Sequence, residues 1–132
     1  MATAFEAGAD VCRPVKPDTI AKSLAIGNPA DGPYALDLAR TTGGAIDAVT
    51  DDEIRDGIRL LAETTGVFTE TAGGVTTAVL AKLAERGDIG PDERVVIVIT
   101  GEGLKTLDAI AEAIDLPDPI RPTLEAFQEA MS

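Results

Sequence analysis

The sequence contains no histidine and no tryptophan, and it has a single cysteine, Cys12. Without histidine, the chain cannot by itself supply a Ser-His-Asp triad, a Cys-His pair or a histidine-ligated metal site. One cysteine cannot form a disulfide within the chain. The start MATAFEAGAD also lacks the basic end and long apolar run of a signal peptide, so we expect a reducing, cytoplasmic setting. The candidates for chemistry are therefore carboxylates, hydroxyls, lysines and glycine-rich turns.

Positive charge and aromatic rings are also scarce. The 23 acidic residues outnumber the 11 basic ones and give a net charge of −12, which repels nucleic-acid phosphates and anionic lipid surfaces. Aromatic residues make up only 3% of the chain, so stacking platforms for single-stranded bases are few. We therefore expect neither a nucleic acid nor a membrane as a partner. The acid excess fits either an ordinary solvated surface or adaptation to high salt.

The sequence does contain enough aliphatic and small residues for a core. Its 132 residues, 45% of them hydrophobic, suit one globular unit, and we treat 1–132 as a single α/β segment. Strand-like AIDAV (45–49) precedes the helical pattern DDEIRDGIRLLAETTG, and RVVIVIT (94–100) precedes a helix expected from about Leu104 to Ile114. A Pro-rich link over 117–122 leads to an amphipathic helix, TLEAFQEAM. This alternation predicts a parallel-sheet layer with flanking helices.

The strongest strand signal is the run over 94–100. It lacks polar alternation, as expected of a strand buried on both faces of a parallel sheet. Ligands bind outside the carboxyl ends of such strands, where Thr100 begins the motif TGEG. This motif resembles a phosphate cradle, because N–H groups at a helix start attract anions, but it is neither GxGxxG nor a Walker loop. Glu102 would also repel a phosphate, and a tight strand-to-helix turn is the alternative interpretation.

Three further features are candidates for a site. Glu70, beside the small-residue run TAGGV, places its carboxylate against a ligand or caps the helix that follows, and the cap is the favoured interpretation. The loop GNPADGP (27–33) covers a site or is an ordinary surface connection. A lysine that forms a covalent bond to a carbonyl needs a desolvated amine, and nothing in the sequence marks any lysine for that role. The lysines are Lys16, Lys22, Lys82 and Lys105.

Four stretches together carry a family resemblance, by their order and spacing. They are PDTIAKSLAIGNP, AVTDDEI, GVFTETAGGVTTAVLAKL and VVIVITGEGLK, and they resemble the carboxyl-terminal portion of threonine synthase over nearly the whole chain. The resemblance implies a pyridoxal-phosphate enzyme of the tryptophan-synthase-β-like fold, which converts O-phospho-L-homoserine and water to L-threonine and phosphate. It also implies that Thr100 contacts the pyridine nitrogen of the cofactor. A neutral hydroxyl can do so without forcing the nitrogen to be protonated.

The family's other cofactor-binding parts have no counterpart in this sequence. The lysine that binds the cofactor covalently, the asparagine that meets the cofactor hydroxyl and the glycine-rich phosphate loop belong to earlier parts of the family's chain. An aromatic residue is common shortly after GNP in the family, whereas this chain has DGPY there, so the resemblance gives this loop no role. The resemblance therefore implies no catalytic residue, one cofactor-binding residue, Thr100, and an amino-terminal part of the same enzyme as partner. The isolated chain is expected to be inactive, and a homo-oligomer is left open.

Two alternative functions remain. One is the same portion of a related threonine or serine dehydratase, to which the motifs IGNP and ITGEGLK are less similar. The other is a non-catalytic α/β module that mediates contacts between proteins. Release of phosphate or of ammonia separates the two enzymes, and cofactor titration with and without the amino-terminal part tests the module.

Overall fold

The computed structural model of the protein describes residues 1–111 and 118–131. Within these ranges the regular structure consists of α-helices and two short 3₁₀-helices. The α-helices are α1 (Ala2–Glu6), α2 (Gly32–Thr41), α3 (Asp51–Thr65), α4 (Thr71–Glu85) and α5 (Leu124–Ala130), and the 3₁₀-helices are Lys22–Leu24 and Gly103–Ala109. None of the helices in the described ranges is long and apolar enough to cross a membrane.

Helix α3 covers the helical pattern that follows AIDAV, and it is capped at both ends. The Thr50 hydroxyl accepts a hydrogen bond from the backbone N–H of Glu53 (3.3 Å), and the Glu53 carboxylate accepts one from the Thr50 N–H (2.6 Å). This reciprocal capping box satisfies two amides that have no partner inside the helix. Gly66, at φ 76°, ends the helix in the left-handed conformation that glycine adopts at little cost. Ile54 and Ile58 are buried on one face, as their helical spacing predicts.

Helices α3 and α4 pack unusually closely because glycines lie at their contact. A Cβ at Gly74 would lie 2.7 Å from the carbonyl oxygen of Ile54, and a Cβ at Gly57 would lie 3.1 Å from the backbone nitrogen of Ala78. Backbone atoms cannot move aside as a flexible side chain can, so neither position accepts a larger residue without separating the helices. The core forms beside this contact from Ala21, Ile54, Ile58 and Ile110, with Ile20, Val49, Phe68 and Val75 packed against it.

The two runs predicted as strands do not form strands within the described ranges. Residues 45–49 and 94–100 have no regular structure, and the described residues show only one isolated antiparallel bridge, between Thr69 and Glu102. Val96 is 86% exposed and Val98 is 68% exposed, so the predicted burial of this run on both faces is wrong for the chain by itself. A parallel strand needs neighbouring strands for its hydrogen bonds and helices over both faces. The flanking helices are present, whereas the parallel-sheet layer is not seen in this part of the protein.

The remaining predicted helices are partly confirmed. The helix expected from Leu104 is a 3₁₀-helix over Gly103–Ala109, kinked at Thr106 (φ −135°, ψ 42°), and the end of the expected helix at Ile114 lies outside the described residues. The Pro-rich link 117–122 likewise begins outside them. The terminal helix is confirmed as α5, where the Thr123 hydroxyl accepts a hydrogen bond from the N–H of Ala126 at 3.2 Å.

Candidate functional site

The turn over 100–103 lies directly against the start of helix α4. The backbone N–H of Glu70 donates a hydrogen bond to the carbonyl oxygen of Gly101 (3.1 Å), and the N–H of Gly103 donates one to the carbonyl oxygen of Phe68 (3.0 Å). Both bonds belong to the isolated bridge that pairs Thr69 with Glu102. The structure therefore joins two sequence motifs, FTET (68–71) and TGEG (100–103), that lie about thirty residues apart in the chain.

Thr69 adds a side-chain bond to this junction. Its hydroxyl lies 3.1 Å from the carbonyl oxygen of Gly101 and 3.3 Å from that of Glu70, and the residue is 1% exposed. The side chain fits there because position 73 is glycine: a Cβ at Gly73 would lie 2.8 Å from the Cβ of Thr69. Thr69 thus connects the first turn of α4 to the residue that follows Thr100.

A second side-chain hydrogen bond lies just after the turn over 100–103, at Thr106. The backbone N–H of Thr71, the first residue of α4, donates to the hydroxyl of Thr106 at 3.3 Å. Thr106 is the residue at the kink of the 3₁₀-helix Gly103–Ala109, so this bond ties the kink to the start of α4. The Thr71 hydroxyl is fully buried and has no hydrogen-bond partner among the described residues.

Glycines at positions 101 and 103 make room for two neighbouring side chains. The carboxylate of Glu70 lies where a Cβ on Gly101 would be, with its Cγ 2.9 Å from that point. The ring of Phe68 lies over Gly103, with its Cζ 2.6 Å from the corresponding point. Glycine at each position is therefore explained by what lies above it, rather than by an anion bound to the turn.

The favoured interpretation of Glu70 as a helix cap needs correction. Glu70 occupies the N-cap position of α4, but its side chain accepts no capping hydrogen bond. The carboxylate instead extends over Gly101, because that glycine leaves space for it. The structure therefore places a half-buried carboxylate one residue from Thr100, which is itself exposed.

The GNP loop lies in a different environment from the turn over 100–103. Its Gly27 accepts a hydrogen bond from the N–H of Val15 (2.9 Å) through its carbonyl oxygen, and a Cβ at Gly27 would lie 3.3 Å from the Cδ of Pro17. The loop lines an open, largely apolar groove of about 850 Å³ formed with residues near the start of the chain and with 46–48. No residue of 100–103 lines this groove.

None of the four lysines lies in the desolvated surroundings that an amine needs to form a covalent bond to a carbonyl group. Lys22 lies 2.8 Å from Asp108 and lowers the pKa of that carboxyl, chiefly through their hydrogen bond. Lys82 lies 2.8 Å from Glu53 and also donates to the carbonyl oxygen of Ala48 (3.0 Å). Lys16 and Lys105 are exposed. The described residues also contain no group of His, Cys, Asp and Glu side chains that could hold a metal ion.

Sequence reasoning found the turn but missed the residues that hold it. Thr69, Gly73 and Thr106 were not singled out, because a threonine or glycine in an apolar segment gives no specific signal. The available signal was the small-residue run TAGGV, which indicates that some group approaches the helix closely. Only the structure shows that this group is the side chain of Thr69.

Comparison with known proteins identifies relatives of this chain. A family model described as pyridoxal-phosphate dependent enzyme matches residues 1–101. The threonine synthase of Methanocaldococcus jannaschii is 45% identical over 115 residues, which cover 87% of this chain and 28% of that protein. The threonine synthase of Methanosarcina acetivorans is 35% identical over 129 residues, covering 97% of this chain and 32% of that protein. The chain thus spans less than a third of these relatives, and its resemblance to threonine synthase is confirmed.

Proposed function

The chain belongs to the family of pyridoxal-phosphate dependent enzymes, and we propose that it is the carboxyl-terminal part of a threonine synthase. The observation that carries the proposal is the 45% identity to a threonine synthase over 87% of this chain. The reaction would be the conversion of O-phospho-L-homoserine and water to L-threonine and phosphate. The family implies an α/β fold, and the complete tryptophan-synthase-β-like sheet is part of this proposal. A cytoplasmic setting, which the lone Cys12 favours, is part of it as well.

One residue of the chain, Thr100, would meet one end of the cofactor. When bound, pyridoxal phosphate withdraws electrons from the amino acid attached to it. Thr100 is an exposed residue at the start of the turn over 100–103, and its hydroxyl would donate a hydrogen bond to the ring nitrogen. A neutral donor of this kind orients the ring while leaving the nitrogen's protonation to its other neighbours.

The chain does not fit the phosphate end of the cofactor. The N–H of Gly103, which would face an anion at the start of the 3₁₀-helix, is already bonded to the carbonyl oxygen of Phe68. The carboxylate of Glu102, in the same turn, opposes an anion there. A single hydrogen bond from Thr100 contributes about 0.5 to 1.5 kcal/mol, whereas millimolar binding requires about 4 kcal/mol. The chain alone therefore should not bind the cofactor.

The proposed partner is the amino-terminal part of the same enzyme. The run over 95–99 consists only of valine and isoleucine, yet Val96 and Val98 are mostly exposed. Leaving such a run in water forgoes about 25 cal/mol for each Å² of apolar surface that could be buried. Strands of an amino-terminal part would pair with this run and cover it, which would also bring the phosphate loop and the lysine toward Thr100. A homo-oligomer of the assembled enzyme is compatible with this arrangement.

The proposal is tested by mixing the chain with a separately produced amino-terminal part of a threonine synthase. The chain alone should show no covalent attachment of pyridoxal phosphate after borohydride trapping and mass spectrometry. The mixture should bind the cofactor and release phosphate from O-phospho-L-homoserine. Release of ammonia from threonine or serine would instead identify a dehydratase. A cofactor adduct on one lysine of the isolated chain would show that the chain holds a complete site.

The role of Thr100 is tested in the active mixture. Thr100→Ala should lower kcat/KM by the equivalent of about 1 to 3 kcal/mol, because it leaves a buried ring nitrogen without its hydrogen bond. Thr100→Ser, which keeps the hydroxyl, is the matched control and should retain most activity. Kinetics of Thr100→Ala indistinguishable from the parent would remove Thr100 from the site.

A further inference from the structure

We infer that Thr69 is a positioning residue for Thr100, fixing the turn from which the Thr100 hydroxyl reaches the cofactor. The inference rests on the proposed function, because it concerns the ring-nitrogen contact of that same site. It adds a residue that touches neither substrate nor cofactor. Thr69 acts through the peptide of Gly101, the residue that follows Thr100.

The first step of the argument is the freedom of Gly101. Glycine lacks a Cβ and populates a wide range of backbone conformations, so position 101 would by itself leave the direction of Thr100 poorly determined. Two hydrogen bonds to Gly101 restrict this conformational freedom. The carbonyl oxygen of Gly101 accepts from the N–H of Glu70 and from the hydroxyl of Thr69, both at 3.1 Å. A carbonyl oxygen has two lone pairs, and both are occupied when the single Thr69 hydroxyl proton points to Gly101 rather than to the carbonyl oxygen of Glu70, which lies farther away at 3.3 Å.

The second step is that water cannot replace the Thr69 hydroxyl. Thr69 is 1% exposed, and its side chain is enclosed by the space that Gly73 leaves open in the first turn of α4. Without the Thr69 hydroxyl, the Gly101 carbonyl oxygen keeps the Glu70 N–H as a donor but loses its second hydrogen bond, so one of the two restraints on the turn is gone. The Gly101 carbonyl belongs to the peptide bond between Gly101 and Glu102, so its movement changes the backbone torsions of Gly101 and, through them, the direction in which Thr100 meets the turn.

The third step separates positioning from simple packing. Thr69→Val keeps the shape of the side chain and removes the hydroxyl, whereas Thr69→Ser keeps the hydroxyl and removes the methyl group. A packing role predicts that the serine variant is the more disturbed of the two. A positioning role predicts the reverse, since the hydrogen bond to Gly101 survives only in the serine variant.

The first experiment uses the chain itself and requires no cofactor. Nuclear magnetic resonance measures the amide shifts of Thr100 and Gly101 and the hydrogen exchange of the Glu70 N–H, which is bonded to the same carbonyl. In Thr69→Val the Glu70 amide should exchange about 2- to 10-fold faster, the factor expected for one lost hydrogen bond, and both shifts should change. Thr69→Ser should resemble the parent. Unchanged exchange and shifts in Thr69→Val, or a larger disturbance in Thr69→Ser, would overturn the inference.

The second experiment uses the chain completed by the amino-terminal part. Cofactor fluorescence titration should give a dissociation constant about 2- to 10-fold higher for Thr69→Val than for the parent, with recovery in Thr69→Ser. An unchanged dissociation constant, despite a disturbed turn, would show that the turn does not position Thr100 for the cofactor. If the parent mixture neither binds cofactor nor releases phosphate, the proposed function fails. That result is distinct from a failure of the first experiment, which is read on the chain alone.

Discussion

The carboxylate of Glu70 lies over the peptide of Gly101, in the space that a Cβ at position 101 would occupy. This contact links a residue at the start of α4 to the turn that holds Thr100. The glutamate side chain at position 70 therefore occupies this space only because residue 101 has no Cβ. The end of a glutamate side chain is flexible, so the contact can yield where a backbone contact could not.

The first prediction is energetic coupling between these two positions. Gly101→Ala should push the Glu70 carboxylate away from the turn, whereas Glu70→Ala removes the three atoms that lie nearest to the added methyl group. The two substitutions should be non-additive in the free energy of unfolding, with a coupling of at least about 0.5 kcal/mol, as for residues in contact. Urea unfolding of the parent, the two single variants and the double variant measures this coupling. Gly90→Ala is the control, because its added Cβ would lie 3.8 Å from its nearest neighbour, and it should be additive with Glu70→Ala. Additivity at position 101 would mean that the contact does not form.

The second prediction concerns the close contact of α3 and α4. Gly74→Ala should lower the free energy of unfolding by about 1 to 3 kcal/mol, the usual cost of overpacking, because the new methyl group meets the carbonyl oxygen of Ile54. Thermal or urea unfolding measures the loss. Gly90→Ala again serves as control and should stay within about 0.5 kcal/mol of the parent. A stabilised Gly74→Ala variant would contradict the helix contact, since alanine is the better helix former.

The third prediction is a loss of stability in acid through Glu53. The hydrogen bond from Lys82 lowers the pKa of Glu53 most, and the backbone N–H of Thr50 lowers it further, from an ordinary value of 4.5. Because the pKa is lower in the folded state, the unfolded state binds more protons as the pH falls. The stabilisation is therefore fully present above about pH 4.5 and is lost as the pH drops through the lowered folded value.

Glu53→Gln tests this pH dependence. The variant should be less stable than the parent at pH 7, and the difference should shrink as the pH falls below 4.5. Chemical unfolding across pH 3 to 7 gives both curves. Glu63→Gln, an exposed position on the same helix, is the matched control and should change the free energy of unfolding at pH 7 by less than about 0.5 kcal/mol. Parallel curves for Glu53→Gln and the parent would contradict the prediction. Asp47, whose pKa is lowered chiefly by the backbone N–H of Ala48 and further by Arg86 and Lys82, titrates in both proteins and shares Lys82 with Glu53.

The fourth prediction concerns the apolar run over 95–99. Val96→Lys should leave the free energy of unfolding of the isolated chain within about 0.5 kcal/mol, because the side chain is 86% exposed. In the mixture with the amino-terminal part it should abolish association, because a lysine would then be buried without a partner. Leu38→Lys, at a 63% exposed position on α2, should leave association intact. Analytical ultracentrifugation measures the association of each variant with the amino-terminal part. Normal association of Val96→Lys would show that this run is not the interface.

The local features of the protein follow from the sequence alone. Thr50 with Glu53 marks the start of α3, Gly66 marks its end, and the spacing of Ile54 and Ile58 gives its buried face. These signals can be interpreted from the sequence because each depends on residues within one or two turns of helix. The resemblance to threonine synthase and the choice of Thr100 also came from contiguous motifs. Whether Thr100 binds the cofactor stays a prediction.

The arrangement of the site was decided only by the tertiary structure. The pairing of FTET with TGEG, the bond from Thr69 to Gly101 and the position of the Glu70 carboxylate join residues about thirty positions apart, and no local preference specifies such a contact. The run over 94–100 shows the opposite case. Its composition predicts a buried strand, but a strand's hydrogen bonds and cover come from other segments, and within the described residues none supplies them. Local patterns determine which conformation a segment prefers, whereas burial depends on which neighbours are present to provide it.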